Sequence, residues 1–340
     1  MDGLLDLARL EPWMAAHVPG YAGPITHVHK FDVGQSNPTF RLDTHGKRYV
    51  LRRKPPGVLL KSAHAVDREF RVQSALAGRV DFVTPMHALC MDDDVIGSAF
   101  YVMDFVEGRS FVDPTMPGLT PDQRGAILSE MARVLAAIHD VDLDASGLDD
   151  FGPPGNYYER QLARWVKQYR ATETGTIADM DRLIDWLSAN MPGDDGQRTL
   201  VHGDYRIDNM LFAPDGPQSR AVLDWELSTI GHPYADLAAV IMQWQLPPGT
   251  EGRGLAGVDR AALGLPSDAE FVADYCQRRG INGIENFGFY VAFAFFRMAA
   301  ILQGVKKRAL DGNASNPEKG LKLGEFVPRF AELGLEAGQA

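Results

Sequence analysis

The sequence predicts a two-lobed α+β fold in which an antiparallel sheet lobe precedes a larger, mainly helical lobe. Three observations carry that reading. Strand-length runs joined by turn-forming residues fill the front of the chain. Helical periodicity dominates after Gly108. One small β element, Thr199 to Leu223, interrupts the helices.

Taken in order, an opening helix is predicted to start near Glu11, with Pro12 in its first turn, and to end before Gly20. Residues Ile25 to Phe31, Thr39 to Leu42 and Arg48 to Arg53 read as strands of a meander. Gly34-Gln35-Ser36-Asn37-Pro38 and Asp43-Thr44-His45-Gly46 are its joints. A helix is expected over Ala63 to Leu76, then strands near Val83 to Cys90 and Ser98 to Phe105. Thr120-Pro121-Asp122-Gln123 is a capping box that opens a helix running to His139. Further helices are predicted over Tyr157 to Arg170, Ile177 to Asn190 and Tyr234 to Trp244, after a Ser267 cap, and over Glu285 to Arg308. The switch from strands to helices divides the chain into 1–106 and 107–340, with a hinge near Phe105 to Gly108. Pro247 to Pro266, rich in Gly and Pro, reads as a surface loop or a lid.

Composition narrows the function classes. With 340 residues, 45% hydrophobic and 23% charged, the chain has the balance of a globular protein. A net charge of −11 argues against a general nucleic-acid binder, which needs a basic footprint, but leaves room for one nucleotide. Cys90 and Cys276 form no disulfide framework and fit a reducing cytoplasm. The N-terminus lacks the pattern of a signal peptide. The apolar run Phe287 to Leu302 is short for a bilayer span and contains Arg297, so it reads as a core helix and no membrane partner is expected.

The most informative segment is TLVHGDYRIDNMLFAPDGPQSRAVLDWELSTIGHPYAD, Thr199 to Asp236. Met210-Leu211-Phe212 and Ala221-Val222-Leu223 flank a turn-forming stretch and should pair as a hairpin. In an antiparallel pair the start of one strand lies beside the end of the other. Asn209 precedes the first strand and Asp224 follows the second, so the hairpin brings them to one end, with Asp204 on the adjoining loop. An amide oxygen and carboxylates suit Mg2+, which prefers hard oxygen ligands and shares its shell with substrate phosphates. Phosphoryl transfer also needs a carboxylate that takes or orients the attacking hydroxyl proton, and protein kinases place it in HRDxxxxN. HGDYRIDN has that spacing.

HGDYRIDN, LDWE and GHPYADLA together resemble the aminoglycoside phosphotransferase and choline kinase superfamily. The front strings GQSNPTF and YVLRRKPPG resemble its branch related to the N-terminal domain of certain acyl-CoA dehydrogenase family proteins. The resemblance spans roughly residues 20 to 310 and implies a protein-kinase-like fold. It further implies ATP or GTP bound between lobes, Asp204 as catalytic base, and Asn209 and Asp224 as Mg2+ ligands. By the same resemblance the enzyme is a small-molecule kinase with a hydroxyl acceptor, which a hydroxylated acyl compound would satisfy. A non-catalytic nucleotide-binding protein that acts through a partner is the alternative, and a metal-dependent phosphohydrolase is a second rival. Only eleven residues separate Asp224 from Asp236, which leaves little room for a protein-kinase activation loop.

Other positions follow less directly. Arg52 stands where the family has a Lys or Arg on the α- and β-phosphates, and alternation puts it on the face opposite Arg53. Glu69 lies within the apolar arc of its helix, so it needs a partner, and Arg52 is the natural one. Gly34 and Ser36 lie in a joint that is either a phosphate-covering loop or a plain turn. Met103 and Phe105 end a strand that either touches adenine or serves only as core. His139 reads as a packing histidine and His202 as a brace for the loop. Glu226 either joins the metal shell or solvates its turn, Asp236 resembles the family's structural aspartate, and Arg297 either faces substrate or pairs with a buried acid. No HExxH or paired-cysteine spacing suggests zinc.

Overall fold

The computed structural model describes residues 5–31, 37–55, 65–249, 252–314 and 316–339. In chain order the front elements are α1 (Leu7–His17), β1 (Ile25–Lys30), β2 (Thr39–Thr44), β3 (Arg48–Arg53), α2 (Val66–Leu76), β4 (Met86–Cys90) and β5 (Phe100–Asp104). Then come α3 (Pro121–His139), α4 (Leu143–Ser146), α5 (Tyr157–Thr172), α6 (Ala178–Ala189), β6 (Thr199–Val201), β7 (Met210–Phe212), β8 (Ser219–Val222) and β9 (Thr229–Gly231). The chain closes with α7 (Tyr234–Trp244), α8 (Arg260–Leu263), α9 (Asp268–Arg279), α10 (Phe287–Leu310), α11 (Pro317–Gly324) and α12 (Val327–Gln339). The α+β expectation holds, with an N-terminal antiparallel sheet and a larger helical part.

Two compact units form. The first comprises Met1–Phe111, Asp142–Leu148 and Ile207–Ser228; the second comprises Val112–Val141, Asp149–Arg206 and Thr229–Ala340. These units do not follow a single cut at 106/107, because side chains and backbone of α2 and of the segments flanking β4 and β5 capture later segments. Arg109 exchanges backbone hydrogen bonds with Phe212 and donates from its guanidinium to the carbonyls of Ala213 and Gly216. Val222 N–H donates to the Phe82 carbonyl. Arg71 and Arg79 donate to the carbonyls of Gly147 and Ala145, which ties α4 to the same unit.

In the first unit the sheet order is β1-β2-β3-β5-β4, antiparallel throughout. Alternation separates its faces. Phe40, Leu42, Tyr49, Leu51, Phe100 and Val102 pack with Leu10 and Met14 of α1. Val50, Tyr101 and Met103 pack with Val66 of α2 on the other side. Both faces are covered, so β3 and β5 read as continuous apolar runs and any polar group on them must find a partner. Helix α1 starts a turn earlier than predicted, because the Asp6 side chain accepts from Arg9 N–H and caps it; Pro12 therefore sits inside the helix.

In the second unit α10 is the central element and packs against α5, α6, α7, α11 and α12. Its phenylalanines 289, 293, 295 and 296 are buried. By length and composition α10 passes as a membrane span, but two-thirds of its most apolar window (67%) is buried within the protein, as a core helix would be. The capping boxes predicted at Thr120 and Ser267 are both formed. Leu255 and Leu265 of the 247–266 segment are buried, and Leu255 N–H donates to the Trp244 carbonyl, which anchors this loop to α7.

Gly108 shows how closely the front sheet and the β7–β8 hairpin approach. A Cβ there would lie 2.8 Å from the Phe212 carbonyl oxygen and 3.2 Å from Leu211 Cβ. Gly108→Ala is therefore expected to destabilise the protein by about 1–3 kcal/mol, the usual range for overpacking. A melting temperature equal to wild type would show that the hairpin is not held this tightly.

Candidate active site

Each unit contains a cluster of polar residues around a buried charge. In the first unit the charge is Arg52 on β3, which faces α2 as alternation requires and is only 9% exposed. Arg53 points the other way and donates to the Ser98 hydroxyl. Arg52 Nε donates to Glu69 Oε2 at 3.0 Å, so the predicted pair forms. Its Nη2 donates to Asp224 Oδ1 at 2.5 Å and lies 3.8 Å from Glu226 Oε2. The fully buried Asn37 donates from Nδ2 to that same Glu226 oxygen at 3.1 Å, so Glu226 is held inside the cluster instead of only solvating its turn.

The hairpin does what its sequence predicts. Met210 pairs with Val222, and Leu223 N–H donates to the Asn209 carbonyl, so Asn209 and Asp224 meet at one end. Asp224 adopts a left-handed conformation (φ 65°, ψ 57°), which few residues other than glycine tolerate. An off-pattern backbone of this kind marks a residue whose side-chain position outweighs local comfort.

Electrostatics follow from the packing. Burial opposes the Arg52 charge, but Glu69, Tyr101, Asp224 and Glu226 outweigh it and raise the guanidinium pKa. Burial pushes the Glu69 carboxyl up to about 7 against the pull of Arg52. Three carboxylates around one guanidinium leave an excess of negative charge, which suits a divalent cation. Asp224 and the Asn209 amide are hard oxygen donors of the kind Mg2+ takes. Among the described residues no three His, Cys, Asp or Glu side chains form a ready metal cage. A Mg2+ site does not require one, because phosphates and water complete the octahedron.

In the second unit β6 pairs with β9, a strand the sequence did not reveal, and β6 feeds directly into His202-Gly203-Asp204. The buried Asp236 carboxylate accepts from His202 N–H at 2.6 Å and Gly203 N–H at 2.8 Å. His139 Nε2 lies 3.4 Å from the same carboxylate, and its Nδ1 is 2.7 Å from the Tyr275 hydroxyl. His202 Nδ1 accepts from Asp204 N–H at 3.2 Å, the bracing role predicted for it. Tyr205 anchors the following residue by donating to the Met131 carbonyl. Asp204 itself is one-third exposed (34%), with Arg206 Nε at 3.1 Å from its Oδ1. Burial works to raise the Asp236 carboxyl, but hydrogen bonds from His139 and Gly203 hold it below the usual range; burial lowers His139.

The remaining candidates divide. Met103 is buried on the face of β5 that packs against α2. Phe105 is half-buried, with the Arg48 guanidinium 4.4 Å from its ring centroid. Gly34 and Ser36 lie outside the described residues. Among the described residues Arg297 pairs with no buried acid; it donates to the Gly203 carbonyl at 3.2 Å. The Asn37–Glu226 bond and the Arg297 contact were illegible in the sequence because each joins residues far apart in the chain.

Two outcomes follow from this geometry. Glu69→Ala leaves the buried Arg52 Nε without its α2 acceptor while Asp224 still answers the charge, so stability should fall by about 1–3 kcal/mol, the cost of a buried donor left unsatisfied. Glu69→Gln, which keeps an acceptor oxygen, should lose less, and equal melting temperatures for wild type and Glu69→Ala would refute the pairing. For His139 the folded pKa lies below the unfolded value of about 6.5, so its contribution is complete above that pH and declines as pH falls through it. The depressed Asp236 carboxyl adds a second loss below about pH 4. His139→Gln should flatten the fall in melting temperature between pH 7 and 5; an unchanged slope would remove His139 from this account.

Comparison with known proteins identifies the family. Residues 27–286 match the profile of the phosphotransferase enzyme family. The mouse protein "Acyl-CoA dehydrogenase family member 10" is 47% identical over 308 residues, covering 90% of this chain and 29% of its own. The rat "Acyl-CoA dehydrogenase family member 11" is 41% identical over 341 residues, covering 97% and 43%. The chain thus spans less than half the length of these curated relatives. A crystal structure from Ralstonia eutropha JMP134, provisionally named an aminoglycoside phosphotransferase, superposes with a TM-score of 0.90 at 48% identity over 98% of each chain. Aminoglycoside phosphotransferase APH(4)-Ia, solved with AMP-PNP and hygromycin B, shares the fold with a TM-score of 0.62 at 18% identity over 93% of this chain and 95% of its own. The family match and the near-complete overlap at 48% identity establish that the chain belongs to the phosphotransferase enzyme family.

Proposed function

We propose that this phosphotransferase is a Mg2+-dependent small-molecule kinase that moves the γ-phosphoryl group of ATP or GTP to an acceptor hydroxyl. The observation that supports this reading most is the hairpin end, where Asn209 and Asp224 meet beside the Arg52–Glu69 pair. Arg52 has the charge and fixed donor geometry to hold nucleotide phosphates while Glu69 orients it. Mg2+ bound through Asn209 and Asp224 would neutralise charge on those phosphates.

Asp204 acts on the acceptor. As the acceptor oxygen attacks the γ-phosphorus, its O–H bond breaks and the Asp204 carboxylate takes the proton. The bond from the γ-phosphorus to the bridging oxygen breaks, and the nucleoside diphosphate leaves with that electron pair. Asp236 and His202 keep Asp204 on a fixed loop, so little reorganisation accompanies the step. The names of the relatives support a hydroxylated acyl compound as acceptor, and the buried thiols Cys90 and Cys276 suit a cytoplasmic setting. Gly34, Ser36, Met103 and Phe105 complete the proposed nucleotide contacts.

Calorimetric titration of ATP and GTP, with and without Mg2+, tests the nucleotide half. Wild type should bind only with Mg2+, and Asp224→Ala should abolish binding. Release of nucleoside diphosphate with a library of hydroxyl acceptors tests the chemistry: Asp204→Ala should lower kcat by about 10²–10⁴-fold with nucleotide affinity retained. Nucleotide binding without turnover on any acceptor would favour a non-catalytic binding protein, and acceptor-independent nucleotide hydrolysis would favour a hydrolase.

A further inference from the structure

Arg297 interrupts the apolar run of α10. It follows Phe293, Phe295 and Phe296 on α10, yet no carboxylate answers it among the described residues. Among the described residues, one Arg297 N–H donor is used, toward the Gly203 carbonyl in the peptide that leads into Asp204. Its Cζ lies 5.9 Å from the Trp165 ring centroid. Arg164, exposed and also without a carboxylate partner among the described residues, stands 5.4 Å from that same ring. Trp165 is held in place by its position on α5, where it is 9% exposed, and by its Nε1–H bond to Gln161. The nearby Tyr157 phenol is raised by burial, while the guanidinium groups of Arg297, Arg160 and Arg164 oppose that rise.

A half-buried guanidinium that keeps donors open to solvent beside an aromatic face is a ready partner for an anion. We propose that Arg297 and Arg164, both stacked on Trp165, form an anion-binding subsite for the acceptor. The acceptor then carries a carboxylate or phosphate a short carbon chain away from the hydroxyl presented to Asp204. This inference rests on the kinase reading and deepens it, since it selects against polycations and names the charge of the substrate. Arg297 is the specificity-determining residue, and Trp165 positions both guanidinium groups.

The test uses the full chain with four probes: 3-hydroxybutyrate and its methyl ester, and glycerol 3-phosphate and glycerol. The expected result is a lower KM for one anion than for its neutral counterpart; which anion wins distinguishes carboxylate from phosphate. Arg297→Gln should reduce that preference by about ten- to a hundredfold, as expected for charge-assisted hydrogen bonds, and leave the KM for nucleotide unchanged. Arg297→Lys should retain part of the preference. Arg164→Gln, at an exposed position, should shift it in the same direction by less, and covers the case in which Arg297→Gln fails to fold. Equal use of anion and neutral probe, a preference that survives Arg297→Gln, or no binding of either anion at millimolar concentration would overturn the subsite. Calorimetry without nucleotide separates the two readings. Arg297-dependent anion binding with no turnover keeps the subsite and sinks the kinase, whereas turnover blind to acceptor charge keeps the kinase and sinks the subsite.

Discussion

The first unit depends on a single buried guanidinium. Arg52 sits on a strand whose neighbours on that face are apolar, so its charge would be expensive without Glu69 and Asp224. The constraint also runs the other way. Glu69 is inside α2 because Arg52 is there, and the Asp224 carboxylate is drawn toward β3 while its backbone occupies a left-handed conformation. A lysine would supply charge but only a single nitrogen, and could not bond Glu69 through one edge while reaching Asp224 through another. The same bonds leave the cluster rich in carboxylate oxygen, a composition that asks for a cation.

The second unit solves a similar problem with a buried anion. Asp236 at the start of α7 accepts two backbone N–H groups from the turn that precedes Asp204. Those N–H groups lie where the short β6–β9 pairing has ended and no ladder can satisfy them. The carboxylate therefore takes over from the sheet, and His139 and Tyr275 extend the network into α3 and α9. A loop fixed in this way can present one carboxylate to a reacting hydroxyl without spending binding energy on ordering itself.

Much of this was legible in the sequence where the signal was local. Alternation placed Arg52 and Arg53 on opposite faces, helical periodicity turned Glu69 inward, and the turn between two apolar runs brought Asn209 beside Asp224. What escaped was set by distant partners. Strand β9 has three residues, too few for a period, and exists because β6 needs a neighbour. Helices α11 and α12 pack on α10 at the end of the chain and carry no chemistry to draw attention. The division at 106/107 followed the change from strands to helices, whereas the compact units follow Arg109 and Phe82, whose backbone groups hold a hairpin more than a hundred residues downstream.

Arg297 marks the limit of motif reading. The residues proposed for the base and the metal, Asp204, Asn209 and Asp224, all lie in the stretch Thr199 to Asp236. The residues proposed to choose the acceptor lie on α5 and α10, outside that stretch, and no spacing rule links Trp165 to Arg297. A fold shared at 18% identity with an aminoglycoside enzyme therefore says little about the acceptor. The charge beside Asp204 says more. By the subsite proposed above, a polycation approaching the Gly203–Asp204 peptide would meet the guanidinium groups of Arg297 and Arg164, whereas an anion would meet donors it can use. If an acceptor desolvates such donors against the face of an indole, they would discriminate, because a mismatched acceptor would leave them unsatisfied.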